Sequence, residues 1–199
     1  MTKNSFSLVR FKEALARFDQ ANGDDPNFEL IEGTPQPKEL VYARRMTEWL
    51  DQLDPEAGEA LRLSARCQHI RRWVISRSEF PSGRVGYRRW RTTLADYHAQ
   101  TAAAILREVG YDDKMIARVE ELLRKQHIKS DPDTQTLEDV ACLVFVQHYL
   151  SSFAAQHEEP KLLEILRKTW RKMSDRGRMV ALEIDLDQNI RILVEKALA

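Results

Sequence analysis

Little in this chain interrupts it, staples it or would carry it across a bilayer. Its longest apolar run, Val140 to Val146, is seven residues, where a membrane-spanning helix needs about 20. A helical membrane anchor is therefore not expected. The segment Met1–Val9 has no apolar stretch of secretory-signal length. The two cysteines, Cys67 and Cys142, stand among apolar residues of helical pattern, which suits reduced, buried thiols better than a disulfide framework. Both features point to the cytoplasm. The loop Ser78–Gly86 lacks the glycine spacing of a P-loop or a dinucleotide fingerprint. A nucleophile elbow, a cysteine-rich zinc pattern and a kinase signature are missing as well.

Glycine and proline are also scarce, at seven each in 199 residues. They fall mostly between stretches of period near 3.6, as expected of residues that separate helices. The pattern predicts an all-α, single-domain bundle of about seven to nine helices. Helices are expected over Ser7–Ala21, Pro37–Leu53, Pro55–Trp73 and Tyr87–Val109, the last closed by Gly110. A fifth follows Asp112 and ends near Lys125–His127, a sixth runs from Thr136 to Phe153, and a seventh starts at Pro160. A short helix after Gly177 and a last one near Asp187–Leu198 complete the set. The connector holding Gly33, Pro35 and Pro37 reads as turns, and no strand of more than a few residues is expected.

Net charge is zero, but it is unevenly spread. Between Arg62 and Arg91 nine arginines face one acid, Glu79, and no lysine. Arginine favours planar two-point contacts to phosphate or carboxylate, and close like charges repel by about 1 kcal/mol even in water. Something anionic should neutralise this window. The acidic remainder of the chain is one source. An anionic small molecule or nucleotide is another, and an RNA backbone a third, with Trp73, Tyr87 and Trp90 as stacking surfaces. Arg72 and Arg89 are the arginines chosen for phosphate contact.

Three polar residues, His69, His98 and Asp139, lie where the periodicity wants core. A buried imidazole or carboxylate costs several kcal/mol unless it is hydrogen-bonded, paired or bound to metal. On neighbouring helices, two histidines and an aspartate can hold one divalent metal ion with positions left for water or phosphate. The structural alternatives are a core histidine held by one partner, for His98, and a capping box with Thr136, for Asp139.

The blocks Gln68-His69-Ile70-Arg71-Arg72-Trp73, Gly86-Tyr87-Arg88-Arg89-Trp90-Arg91, His98, Gly110-Tyr111 and Leu137–Phe145 resemble the family catalogued as domain of unknown function 4202. A more distant resemblance is to the HD-domain phosphohydrolases, helical metalloenzymes that hydrolyse phosphoesters of nucleotides. It implies an HD-like core over about 37–155, with helices of 160–199 packed on it. The matching positions read Tyr42, Gln68-His69, His98, Lys125 and Asp139, and only His98 and Asp139 keep the type that family uses. The resemblance implies a metal held by His69, His98 and Asp139, with Asp139 and Lys125 catalytic and Tyr42 and Gln68 binding substrate, to which the arginine window adds Arg72 and Arg89. It equally allows a pocket in which Lys125 replaces the metal's charge. The function expected is binding and hydrolysis of a phosphorylated small molecule or nucleotide. A non-catalytic RNA-binding or protein-interaction module built on the 62–91 window is the alternative.

Overall fold

The structure is a computed structural model that describes residues 3–128 and 130–198, with side chains from Leu8 onward. Its described residues form ten helices and one small hairpin. Helix α1 (Lys3–Gly23) leads into strands β1 (Phe28–Ile31) and β2 (Thr34–Pro37), then α2 (Lys38–Leu53) and α3 (Glu59–Cys67). Helices α4 (Gly83–Val109), α5 (Asp113–Leu123) and α6 (Pro132–Val144) follow. A widened π turn, Phe145–Tyr149, joins α6 to α7 (Leu150–Ala154), and α8 (Glu159–Lys172), α9 (Asp175–Glu183) and α10 (Gln188–Leu198) close the chain. None of these helices is long and apolar enough to cross a membrane.

Two apolar clusters hold the helices, and α3 lies between them. Phe18 of α1, Ile70, Leu106 of α4 and Val119 of α5 belong to one. Met46 and Leu50 of α2, Leu137 and Leu143 of α6, Leu166 of α8 and Val194 of α10 belong to the other. From α3, Leu63 and Cys67 enter the first and Leu61 and Ala65 the second. A nine-residue helix with buried residues on most sides is a shared wall. Whatever ends it fixes where the chain leaves the core.

Four expected boundaries shift, each for a local reason. The third helix stops at Cys67, short of Trp73, because three tight i→i−3 bonds follow, Ile70 N–H to Cys67, Arg72 to His69 and Val74 to Arg71. Arg71 takes a left-handed conformation there, φ 51°. The connector before α2 is a hairpin, with Ile31 paired to Thr34 and Phe28 to Pro37. Glu32 and Gly33 both have positive φ, 50° and 81°, as a two-residue hairpin turn requires. Pro35 and Pro37 hid it from a reading by composition, since proline is tolerated only in edge strands. Helix α4 begins at Gly83 instead of Tyr87, after Ser82.

The fourth shift matters most. Asp131 caps α6, its side chain accepting from Asp133 N–H at 3.1 Å with Pro132 in the first helical position. Thr136 is therefore inside the helix, and the capping box with Asp139 does not exist. Asp139 instead accepts from Ser174 N–H at 2.8 Å, from the Ser174 hydroxyl and from Gln135 Nε2 at 2.9 Å. It pins the start of α9, whose own cap is Ser174.

Gly177 packs directly on that carboxylate. A Cβ there would stand 2.7 Å from Asp139 Cγ and 2.9 and 3.0 Å from its oxygens. Gly177→Ala should therefore lower stability by about 1–3 kcal/mol, seen as a lower urea midpoint at unchanged slope. An unchanged midpoint would show that Asp139 yields freely and does not anchor α9.

Candidate functional site

Beyond the carboxyl end of α3 lie two adjoining cavities. The larger, about 830 Å³, lies among α2, the end of α3, α6 with its π turn, and α8. The smaller, about 380 Å³, lies between α4 and the end of α5. Gln68, His69, Arg72, Arg91 and Lys125 line both and form the wall between them.

Capping positions this wall. Asp25, buried before the hairpin, accepts from Asn27 N–H and Glu39 N–H, each at 2.9 Å, and so fixes the first turn of α2 with Glu39 facing inward. Asn22 Oδ1 accepts from the Arg71 N–H at 3.0 Å, and His98 Nδ1 donates to the Ile70 carbonyl at 2.8 Å. Those two bonds hold the turn that carries Gln68, His69 and Arg72. Lys125 closes α5 in the manner of a Schellman cap. Its N–H bonds to Leu122, Gln126 N–H bonds to Glu121, and its φ is 53°. Gly110 makes the same closure of α4, with φ 88°. Lysine takes a position that favours glycine, and its ammonium reaches Glu138.

The cavities are rich in cations. Seven lysines and arginines line the larger against three glutamates. Two of those glutamates behave oppositely. Burial pushes the Glu138 carboxyl up, but Lys125 and Lys172, the latter at 3.2 Å, outweigh it and hold it at about 2. Glu39 is pushed up to about 7 by burial, with Arg72 only partly opposing. Its Oε2 is buried and accepts no hydrogen bond. His69 Nδ1 approaches that oxygen at 3.5 Å, and its ring stacks on Tyr42 at 4.1 Å between centroids. Burial, together with Arg72, holds His69 well below the usual histidine range, so the contact joins a neutral ring to a carboxyl group. His98 is likewise held neutral by burial, at about 4.

Arg72 is a largely enclosed guanidinium of the wall. It stacks 4.8 Å over the Trp90 ring, lies 3.4 Å from His69 Nε2, and has its nearest carboxylate oxygen, on Glu39, 4.0 Å away. Arg91 has no carboxylate within 4.0 Å among the described residues. By contrast, Arg62, Arg66 and Arg71 pair with Asp51, Asp19 and Asp24. Acids of the chain thus pair with arginines at the start of the window.

The structure brings Tyr42, Gln68, His69, Arg72 and Lys125 together in the larger cavity and places His98 in the smaller. Asp139 and Arg89 line neither. Asp139 is committed to Ser174, and Arg89 is exposed on α4 while Arg91 turns inward. Of the expected metal ligands, His69 and His98 lie side by side, ring centroids 5.8 Å apart, but Asp139, turned to Ser174, does not join them. His69 Nε2 also faces a guanidinium, a poor neighbour for a cation. Among the described residues no three His, Cys, Asp or Glu side chains are grouped to hold a metal. The residues do not fit the expected ion.

Glu39, Arg91, Glu138 and Tyr149 escaped the sequence reading, although a signal existed for two of them. Glu39 stands four and seven residues before Ala43 and Met46, and Glu138 four before Cys142, so both share an inward stripe.

Fold and site together define a helical protein with a cation-lined cleft. The chain belongs to the family described as domain of unknown function (DUF4202), whose model matches residues 12–194. No curated protein and no solved structure matches it.

The raised Glu39 carboxyl has a measurable consequence. A folded value near 7 against 4.5 in the unfolded chain means stability is full below about 4.5 and declines as pH rises through 7. Glu39→Gln removes that loss. The variant should gain on the order of 2–3 kcal/mol relative to wild type between about pH 5 and pH 8, measured by urea unfolding. Parallel pH profiles would show that Glu39 is ionised in the folded protein.

Proposed function

We propose that the larger cavity binds a phosphorylated small molecule or nucleotide, with Arg72, Arg91 and Lys125 facing the phosphate. The supporting observation is the pair of partly enclosed guanidinium groups that share one wall, Arg91 with no carboxylate within 4.0 Å among the described residues and Arg72 with only that of Glu39, 4.0 Å away. Withdrawing such charges from water is costly unless an anion compensates them. The cavity's volume is within the range of small-molecule sites. Tyr42, Phe145, Tyr149 and Phe153 supply an apolar, aromatic side for the organic part of the ligand.

The positions matched to the HD-domain phosphohydrolases other than Asp139, namely Tyr42, Gln68, His69, Lys125 and His98, cluster at this wall, which supports an HD-like reading with lysine in place of the metal's charge.

Calorimetric titration with adenosine monophosphate tests the reading. Wild type should bind, and Arg72→Leu and Lys125→Met should each weaken binding about tenfold or more, roughly 1.4 kcal/mol. Absence of binding to wild type, or affinity indifferent to both substitutions, would sink it.

RNA is a second reading, favoured by Arg84, Arg88 and Arg89. All three are exposed, beside the half-exposed Tyr87, with no carboxylate within 4.0 Å among the described residues. It predicts single-stranded RNA binding whose logarithm falls with the logarithm of salt at a slope near −0.7 per phosphate contact. Arg88→Ala should make that slope shallower, and a flat salt response would remove this reading.

A further inference from the structure

Three side-chain atoms around His69 are buried and lack any hydrogen-bond partner: Glu39 Oε2, Gln68 Oε1 and His98 Nε2. All three residues are at least nine-tenths buried, with 8, 6 and 4 % of their surface exposed. Glu39 lines the larger cavity, His98 the smaller, and Gln68 both. The His69 ring stands between the outer two, 3.5 Å from Glu39 Oε2 and 5.8 Å, centroid to centroid, from His98.

These atoms share one chemistry. His98 Nδ1 bonds to a carbonyl, which can only accept, so the proton is on Nδ1 and Nε2 presents a lone pair. Gln68 Oε1 is an amide oxygen, and Glu39 Oε2 accepts whenever the carboxyl is ionised. A buried acceptor without a donor costs about 1–3 kcal/mol, so the two that line the larger cavity, on Glu39 and Gln68, mark a place there prepared for donors, while His98 Nε2 belongs to the adjoining cavity.

An ammonium group would satisfy them, but the field opposes it. Arg72 and Arg91 disfavour positive charge at both His69 and His98. The fitting donors are uncharged O–H or N–H groups. Water can occupy the wall in the free protein, and a ligand hydroxyl can replace it while keeping the same bonds.

We propose that Glu39 and Gln68 form a hydroxyl-binding subsite of the larger cavity for a sugar phosphate, either free or as the ribose of a nucleotide, whose phosphate is taken by Arg72 and Arg91. This rests on the anion-binding reading and adds the chemistry of the group next to the phosphate. It distinguishes a hydroxyl-bearing ester from a bare anion such as phosphate or pyrophosphate.

The test compares inorganic phosphate with ribose 5-phosphate on the full chain by calorimetry at one ionic strength. Ribose 5-phosphate should bind at least about tenfold tighter, roughly 1.4 kcal/mol. In Gln68→Leu that advantage should shrink to about threefold or less while the melting temperature holds or rises, because an unsatisfied acceptor has been removed. A merely structural glutamine would not produce that opposition. Equal binding of the two ligands to wild type, still lost in Arg72→Leu, would overturn the subsite and leave the anion site standing. Binding of neither would overturn both. Adenosine monophosphate against its 2′,3′-dideoxy analogue separates the donor sources. A loss on removing the hydroxyls supports the assignment, and an unchanged affinity would give the subsite to the base amine and overturn it.

Discussion

The site depends on how α3 ends. A short helix between two apolar clusters has no room to continue, and the chain must turn while still inside the protein. Two side chains from distant segments make that turn possible. His98 donates to the Ile70 carbonyl and Asn22 accepts from the Arg71 N–H, satisfying groups that would otherwise be buried and unpaired. Gln68, His69 and Arg72 all hang from this turn. A histidine that looks like a metal ligand in the sequence is therefore, through one of its nitrogens, a structural bracket, and only its other nitrogen is free for chemistry.

The same wall shows how position rather than residue type sets the state of a carboxyl group. Glu39 and Glu138 are both buried and line one cavity. Glu138 has two lysine ammoniums against it and stays ionised far into acid. Glu39 has a neutral imidazole and a guanidinium at arm's length, so desolvation dominates. The cavity thus holds one permanently ionised acid, which organises Lys125 and Lys172, and one acid that changes state near neutral pH. The first is scaffold for the cations, and the second is exposed to whatever enters.

Much of the fold was legible because helical periodicity is a repeated signal. The stripes of α1, α2, α4 and α8 each offered several apolar residues in phase, and Gly110 and Asp112 marked a stop and a start correctly. What was lost depended on single positions. Two prolines concealed the hairpin, and Thr136 imitated a cap that Asp131 supplies. The site was legible in region and mistaken in detail. A window of arginines pointed to the right wall, yet Arg89 and Arg91 differ by two residues, about 200° around a helix. Asp139 was singled out because the periodicity placed it in the core, and it is buried there, but it is its neighbour Glu138 that enters the cavity. No pattern within one helix reports which of two adjacent acids will meet a lysine contributed by another.

The cap at Lys125 carries a further implication. Two helices of this protein close with the same hydrogen-bond pattern, one at Gly110 and the other at Lys125. Glycine adopts that conformation without penalty, whereas an L side chain gives up about 1–2 kcal/mol. At 125 that loss is set against an ion pair with the buried Glu138, which glycine could not make. The lysine thus holds a strained backbone in exchange for a charge fixed at the cavity wall.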